Sequence, residues 1–175
     1  MPLAHDTVMT DQNNNPASKP LLAGKRGLVM GVANDRSIAW GIAKALHGAG
    51  AELAFTYQGD AFKRRVEPLA SELDAKVLLP CDVMDESSVD KVFDDLKQEV
   101  GNIDFVIHAV AFSNKEELKG RYVDTTLDNF LMTMQISCYS FTSVARRAAE
   151  MMNPGGSLLT LSYIGAERVM PNYNV

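Results

Sequence analysis

Two tyrosines, Tyr163 and Tyr173, are the residues of this chain best suited to chemistry. Both follow an apolar run, Ser157 to Leu161, that closes a long alternation of apolar runs and helical patterns. In an open α/β sheet, reactive groups sit just beyond the carboxyl ends of strands. A phenol held there can donate a hydrogen bond to an oxyanion that develops during a reduction. Taken alone, the same pair also fits amphipathic packing at a sheet edge. The surrounding elements must decide between the two.

Those elements begin with a strand over Gly27 to Gly31. A helix follows over Ser37 to Ala49, with Ile38, Ile42 and Ala45 on one face and Gly48 and Gly50 to end it. Glu52 to Tyr57 reads as a second strand, and Asp60 to Leu73 as a helix that Pro68 can kink or divide. Lys76 to Leu79 is a third strand. Ser87 to Val100 is a helix capped by Asp85 or a neighbour. Ile103 to His108 is a fourth strand, Thr126 to Met152 a long helix, and Ser157 to Leu161 a fifth strand. Repeated βαβ units with near-continuous apolar strands predict a Rossmann-like, doubly wound parallel sheet with helices on both faces. The long helix carries a stripe of Leu131, Met134, Cys138, Phe141, Ala145, Ala148 and Met152. That stripe fits either one face of a buried helix or a seam against a second copy of the chain.

Several junctions are suited to a nucleotide. The first strand runs through Gly31-Val32-Ala33 into Ser37-Ile38, where a pyrophosphate can rest on the N–H groups of a helix start. The turn departs from G-x-G-x-x-G: Gly31 remains, while Ala33 and Ser37 hold later positions. Ser37 can cap the helix, bind a phosphate oxygen, or do both. Gln58, after the second strand, is neutral but can hydrogen-bond ribose hydroxyls, which favours NADH; Lys63-Arg64-Arg65 nearby keeps NADPH open. Asp82, after the third strand, fits an adenine contact or a turn equally. Ala109-Val110-Ala111 leave the fourth strand with side chains small enough for close approach of a cofactor.

The chain has 175 residues, 46% of them hydrophobic, and a net charge of -5. That suits one globular domain with a real core and argues against a nucleic-acid surface. Cys81 and Cys138 are far apart and read as buried or inert thiols of a reducing compartment, the cytoplasm. His5, His47 and His108 lack metal-ligand spacing. No signal peptide or membrane-length apolar run is apparent. Residues 1–21 read as a disordered tail, and 22–175 as one dinucleotide-binding domain.

Together these motifs resemble the short-chain dehydrogenase/reductase superfamily, and within it the bacterial NADH-dependent enoyl-[acyl-carrier-protein] reductases of the FabI type. The residues that carry the likeness are Gly31-Val32-Ala33 with Ser37-Ile38-Ala39, Ala51 through Gln58, Cys81-Asp82-Val83, and Leu159-Thr160-Leu161-Ser162-Tyr163 through Pro171-Asn172-Tyr173-Asn174-Val175. The resemblance implies that Gly31, Ser37, Ile38, Gln58, Asp82, Val83 and Val110 line an NADH site and that Ser113 borders the acyl group. It implies that Tyr173 hydrogen-bonds the thioester carbonyl of an enoyl-acyl carrier protein, that Tyr163 assists, and that the enzyme is a homotetramer. The family pairs its second tyrosine with a lysine seven positions on, which would fall beyond Val175. The chain is therefore expected to be the first two thirds of such an enzyme, incomplete at its C-terminus and inactive by itself. A carbonyl reductase of the same superfamily and a non-catalytic dinucleotide-binding protein remain as alternatives.

Overall fold

The structure, a computed structural model, describes residues 19–174. Most of the expected tail, residues 1–18, lies outside the described residues, as does Val175. The chain enters the fold at Leu22, whose N–H donates to Ala49 O at 2.8 Å.

Five parallel strands form one sheet in the order β3-β2-β1-β4-β5. They are β1 (Arg26–Met30), β2 (Glu52–Tyr57), β3 (Val77–Pro80), β4 (Ile103–His108) and β5 (Met152–Thr160). The helices α1 (Ile38–Gly48), α2 (Gly59–Glu72) and α3 (Glu86–Val100) make the first crossovers. Strand alternation sends Leu28 and Met30 of β1 into one core and Val29 into another. The first core is shared with α3 and the last helix, the second with α1 and α2. Both faces of the central strands β1, β2 and β4 are thus covered, which is why they are apolar without a polar face, whereas β5 leaves Leu158 and Leu159 exposed. The strand order reverses between β1 and β4. The connections that leave their carboxyl ends run to helices on opposite faces of the sheet and leave a crevice between them.

Asp85 caps α3 by accepting from Ser87 N at 2.9 Å, as the sequence suggests. Pro68 neither ends nor divides α2, which continues to Glu72. The inward face of α1 differs from expectation: Ala39, Trp40 and Ala43 are buried, Ile42 is partly so, and Ile38 and Ala45 are exposed. Small alanines let the helix approach the sheet closely, and Trp40 fills the space beside them.

The long helix is the larger correction. It runs as α4 (Leu127–Met134), a π turn (Gln135–Tyr139) and α5 (Ser140–Met151). A π turn inserts one residue and rotates everything after it. Leu131, Met134 and Cys138 of the expected stripe are exposed, whereas Ala148 is buried. The buried positions include Asn129, Thr133, Ser140, Ser143 and Arg147, each with a polar partner. Arg147 bonds Asp90 at 2.6 Å and Glu86 Oε2 at 3.0 Å, tying α5 to α3. Glu86 has its carboxyl pKa held below the usual range, first by the Ser143 hydroxyl and then by Arg147. Strand β5 begins at Met152, earlier than the expected Ser157 and directly after α5. A register irregularity opposite Ile103 and Phe105 accommodates the Pro-Gly-Gly segment.

Candidate active site

A cavity of about 410 Å³ opens at the carboxyl ends of β1 to β4. That size and its mainly apolar wall suit a small-molecule or cofactor site. Its floor is Met30 to Ala33, one side is Thr56 to Gln58 with Cys81, Val83 and Met84, and the other is Ala109 to Phe112. Met132 and Ile136, from α4 and the π turn, complete it. The cavity therefore spans the crevice at the strand-order reversal, where the sequence motifs converge.

Gly31, Gln58, Val83 and Val110 of the expected cofactor residues line this cavity. Gly31 has φ +91°, and a Cβ there would overlap the Ala109 carbonyl oxygen. The glycine thus answers first to the packing of β1 against β4. Ser37 is not on the wall. Its hydroxyl donates to Asn34 O at 2.7 Å and accepts from Ala33 N at 3.4 Å, so it shapes the turn and does not cap α1. Ile38 is exposed at the first position of α1, where helix N–H groups have no intrahelical partner. Asp82 accepts from Met84 N at 2.9 Å, and its own N–H donates to Ser88 Oγ at 2.9 Å. Of the two readings open for Asp82, the turn is the one its contacts display.

The tyrosines lie beyond β5, and neither is part of the cavity wall. Their ring centroids are 5.0 Å apart at 53°, and each ring is about half exposed, 49% for Tyr163 and 50% for Tyr173. The segment is held by Asn174, whose side-chain amide donates to the carbonyls of Glu117 and Lys119 at 3.3 and 3.2 Å. Ser113 is likewise off the wall: its hydroxyl accepts from Thr133 Oγ1 at 2.9 Å and Asn129 Nδ2 at 3.4 Å. Asn129 Oδ1 also accepts from Asn114 N at 3.0 Å, and Ser137 Oγ takes Phe112 N at 3.0 Å.

These helix residues, which fix the loop after β4, escaped the sequence reading. The available signal was a run of polar residues at inward positions of an otherwise amphipathic helix. Both cysteines are free thiols, Cys81 buried and Cys138 exposed. Among the described residues, no group of three or more His, Cys, Asp or Glu is placed to hold a metal ion, and no helix is long and apolar enough to cross a membrane.

Residues 31–175 match a family model described as enoyl-(acyl carrier protein) reductase. The chain is 64% identical over 155 residues to enoyl-[acyl-carrier-protein] reductase [NADH] 2 of Rhizobium meliloti; the match covers 89% of this chain and 58% of that protein. A Bacillus cereus relative, enoyl-[acyl-carrier-protein] reductase [NADH] FabI, is 52% identical over 157 residues, or 61% of its length. Among solved structures, the Anaplasma phagocytophilum reductase in complex with NAD superposes with a TM-score of 0.85 at 60% identity. It is matched over 88% of this chain and 59% of that one. The Bacillus cereus reductase with NADP+ and an indole naphthyridinone gives 0.85 at 52% identity, over 88% of this chain and 61% of that one. The chain thus spans roughly three fifths of the length of the relatives it matches. With the parallel sheet and the cavity at its reversal point, these matches show that the chain belongs to the enoyl-(acyl carrier protein) reductase family.

Proposed function

We propose that the chain supplies the nucleotide-binding and tyrosine-bearing part, the N-terminal two thirds of one domain, of a cytoplasmic NADH-dependent enoyl-acyl carrier protein reductase of fatty-acid synthesis. The observation that carries the reading is the cavity over the β1–β4 reversal, with the paired tyrosines leaving the adjoining strand β5. NADH, when bound, supplies the hydride that goes to the β-carbon of a trans-2-enoyl thioester.

The chain's own residues do the rest. The N–H groups at the start of α1, beside Ser37 and Ile38, favour a pyrophosphate. Gln58, exposed at the end of β2, offers a neutral amide to ribose hydroxyls. Val83 and Val110, on the cavity wall, would hold the cofactor and limit water, and Asp82 holds the turn beside them. Ser113, held by α4, orders the loop bordering the acyl chain. Tyr173 donates its phenolic hydrogen bond to the thioester carbonyl oxygen as that oxygen gains enolate charge, so it acts chiefly in the transition state. Tyr163, stacked at a tilt against Tyr173, sets that ring's orientation. The exposed apolar residues Leu131, Met134 and Tyr139 support a homotetramer with the Leu131–Met152 helix at one interface.

The test is NADH oxidation by the complete reductase with a crotonyl or longer enoyl thioester. Tyr173→Phe removes one oxyanion donor and should lower turnover by roughly a hundredfold or more, about 3 kcal/mol. Tyr163→Phe should cost less. Near-normal turnover by Tyr173→Phe would overturn the assignment.

A further inference from the structure

We propose that His108 is a positioning residue: a neutral imidazole, protonated on Nε2, that couples the π turn walling the cavity to the strand end that precedes Tyr163. His108 ends β4 and is 1% exposed, with the Phe141 ring 5.5 Å away. Nothing in the catalytic reading above uses it. Yet its neighbours Ala109 and Val110 line the cavity, and its carbonyl accepts from Leu161 N at 3.3 Å.

The hydrogen bonds fix its tautomer. Ser140 Oγ donates to Ile136 O at 2.6 Å. A hydroxyl has one proton. With that proton committed, Ser140 Oγ can only accept from His108 Nε2, which lies 2.8 Å away. Nε2 therefore carries the hydrogen. A neutral imidazole has one N–H, so Nδ1 is an acceptor. Its partner is Thr160 Oγ1 at 3.3 Å. The donor chain runs from Thr160 through His108 and Ser140 to Ile136 O. Burial disfavours the imidazolium and holds the pKa of His108 below the ordinary histidine value, in keeping with a neutral ring.

Both ends of this chain reach site elements. Ser140 N–H donates to Gln135 O, the five-residue spacing of the π turn. That register leaves Ile136 O without its ordinary partner four residues on, and the Ser140 hydroxyl supplies it. The Ile136 side chain is part of the cavity wall. At the other end, Thr160 is the last residue of β5 and pairs across the sheet with His108. Tyr163 follows three residues later. A ring that holds both ends thereby sets the distance between the nucleotide wall and the tyrosine segment. A phenylalanine would fill the same space and hold neither end.

The catalytic consequence rests on the reductase reading; the tautomer does not, so two measurements separate them. In histidine-15N-labelled protein, the resonances lost in His108→Gln should show a protonated, pyrrole-type Nε2 and an unprotonated, pyridine-type Nδ1. A protonated Nδ1, or an imidazolium at neutral pH, would overturn the proposal. In the complete reductase, Ser140→Ala should weaken NADH binding, read as a dissociation constant, by roughly fivefold, the worth of one hydrogen bond. Thr160→Val should lower kcat by a similar factor with the KM for NADH unchanged, and Thr160→Ser should recover it. Folded variants with wild-type affinity and kcat, or a Thr160→Ser variant as impaired as Thr160→Val, would refute positioning. A wild-type protein that binds NADH but leaves enoyl thioesters untouched would refute the reductase reading alone.

Discussion

Replacing Gly31 by alanine separates two roles that the sequence merges. The motif reading makes Gly31 a cofactor residue, whereas the structure presses it against the Ala109 carbonyl. Two costs follow from the geometry. Alanine at φ +91° is strained by about 1–3 kcal/mol. Relieving the overlap with Ala109 also pulls β4 from β1 where Ala109 N donates to Met30 O at 3.1 Å, a bond worth about 1 kcal/mol. The expected loss is therefore roughly 2–4 kcal/mol, a large part of a typical domain's 5–15 kcal/mol. Trp40, the single tryptophan, is buried in α1 and reports unfolding by its fluorescence during urea denaturation. NADH titration of the same samples gives affinity. Gly31→Ala should lower the unfolding midpoint and weaken NADH binding together. A wild-type midpoint with lost NADH binding would refute the packing argument and return Gly31 to the cofactor alone.

Further measurements probe the thiols and the buried histidine. Burial, and next the Asp82 charge, push the Cys81 thiol up to about 11, so Cys81 should resist thiol reagents until the protein unfolds. Cys138 is exposed on the helix proposed as an interface; it should label promptly in the dissociated chain and slowly in the assembly, and prompt labelling of both thiols would contradict the structure. His108 has a folded pKa below 6.5, so the unfolded chain takes up its proton first as pH falls. Stability should be fully present above pH 6.5 and then decline by up to about 1.4 kcal/mol per pH unit until the folded ring also protonates. Denaturation of wild type and His108→Gln between pH 7 and 5 checks this, since the variant should lack that decline.

The sequence by itself determined the architecture. Apolar runs bounded by glycines and amphipathic helical periods are local signals, and β1 to β4 and α1 to α3 fall within a residue or so of their predicted bounds. The βαβ alternation then fixes parallel strands, and with them a crevice where nucleotide motifs collect. Tertiary structure decided what depends on partners far along the chain. The inward face of α1 goes to Ala39, Trp40 and Ala43 because they meet the core formed by Val29, Phe55 and Val66, the alanines allowing close approach and Trp40 filling the space beside them. The π turn is bridged by the Ser140 hydroxyl and backed by His108, 32 residues away, which no helical period encodes. Asn129, Thr133 and Arg147 are polar in type yet buried, because distant loops and α3 supply their hydrogen bonds. The family resemblance marks Tyr163 and Tyr173 as a pair; their packing depends on a turn anchored through Asn174 to the loop after β4. Local periodicity decides which segments bury apolar area, whereas hydrogen-bond partners and close backbone contacts exist only once the chain has folded.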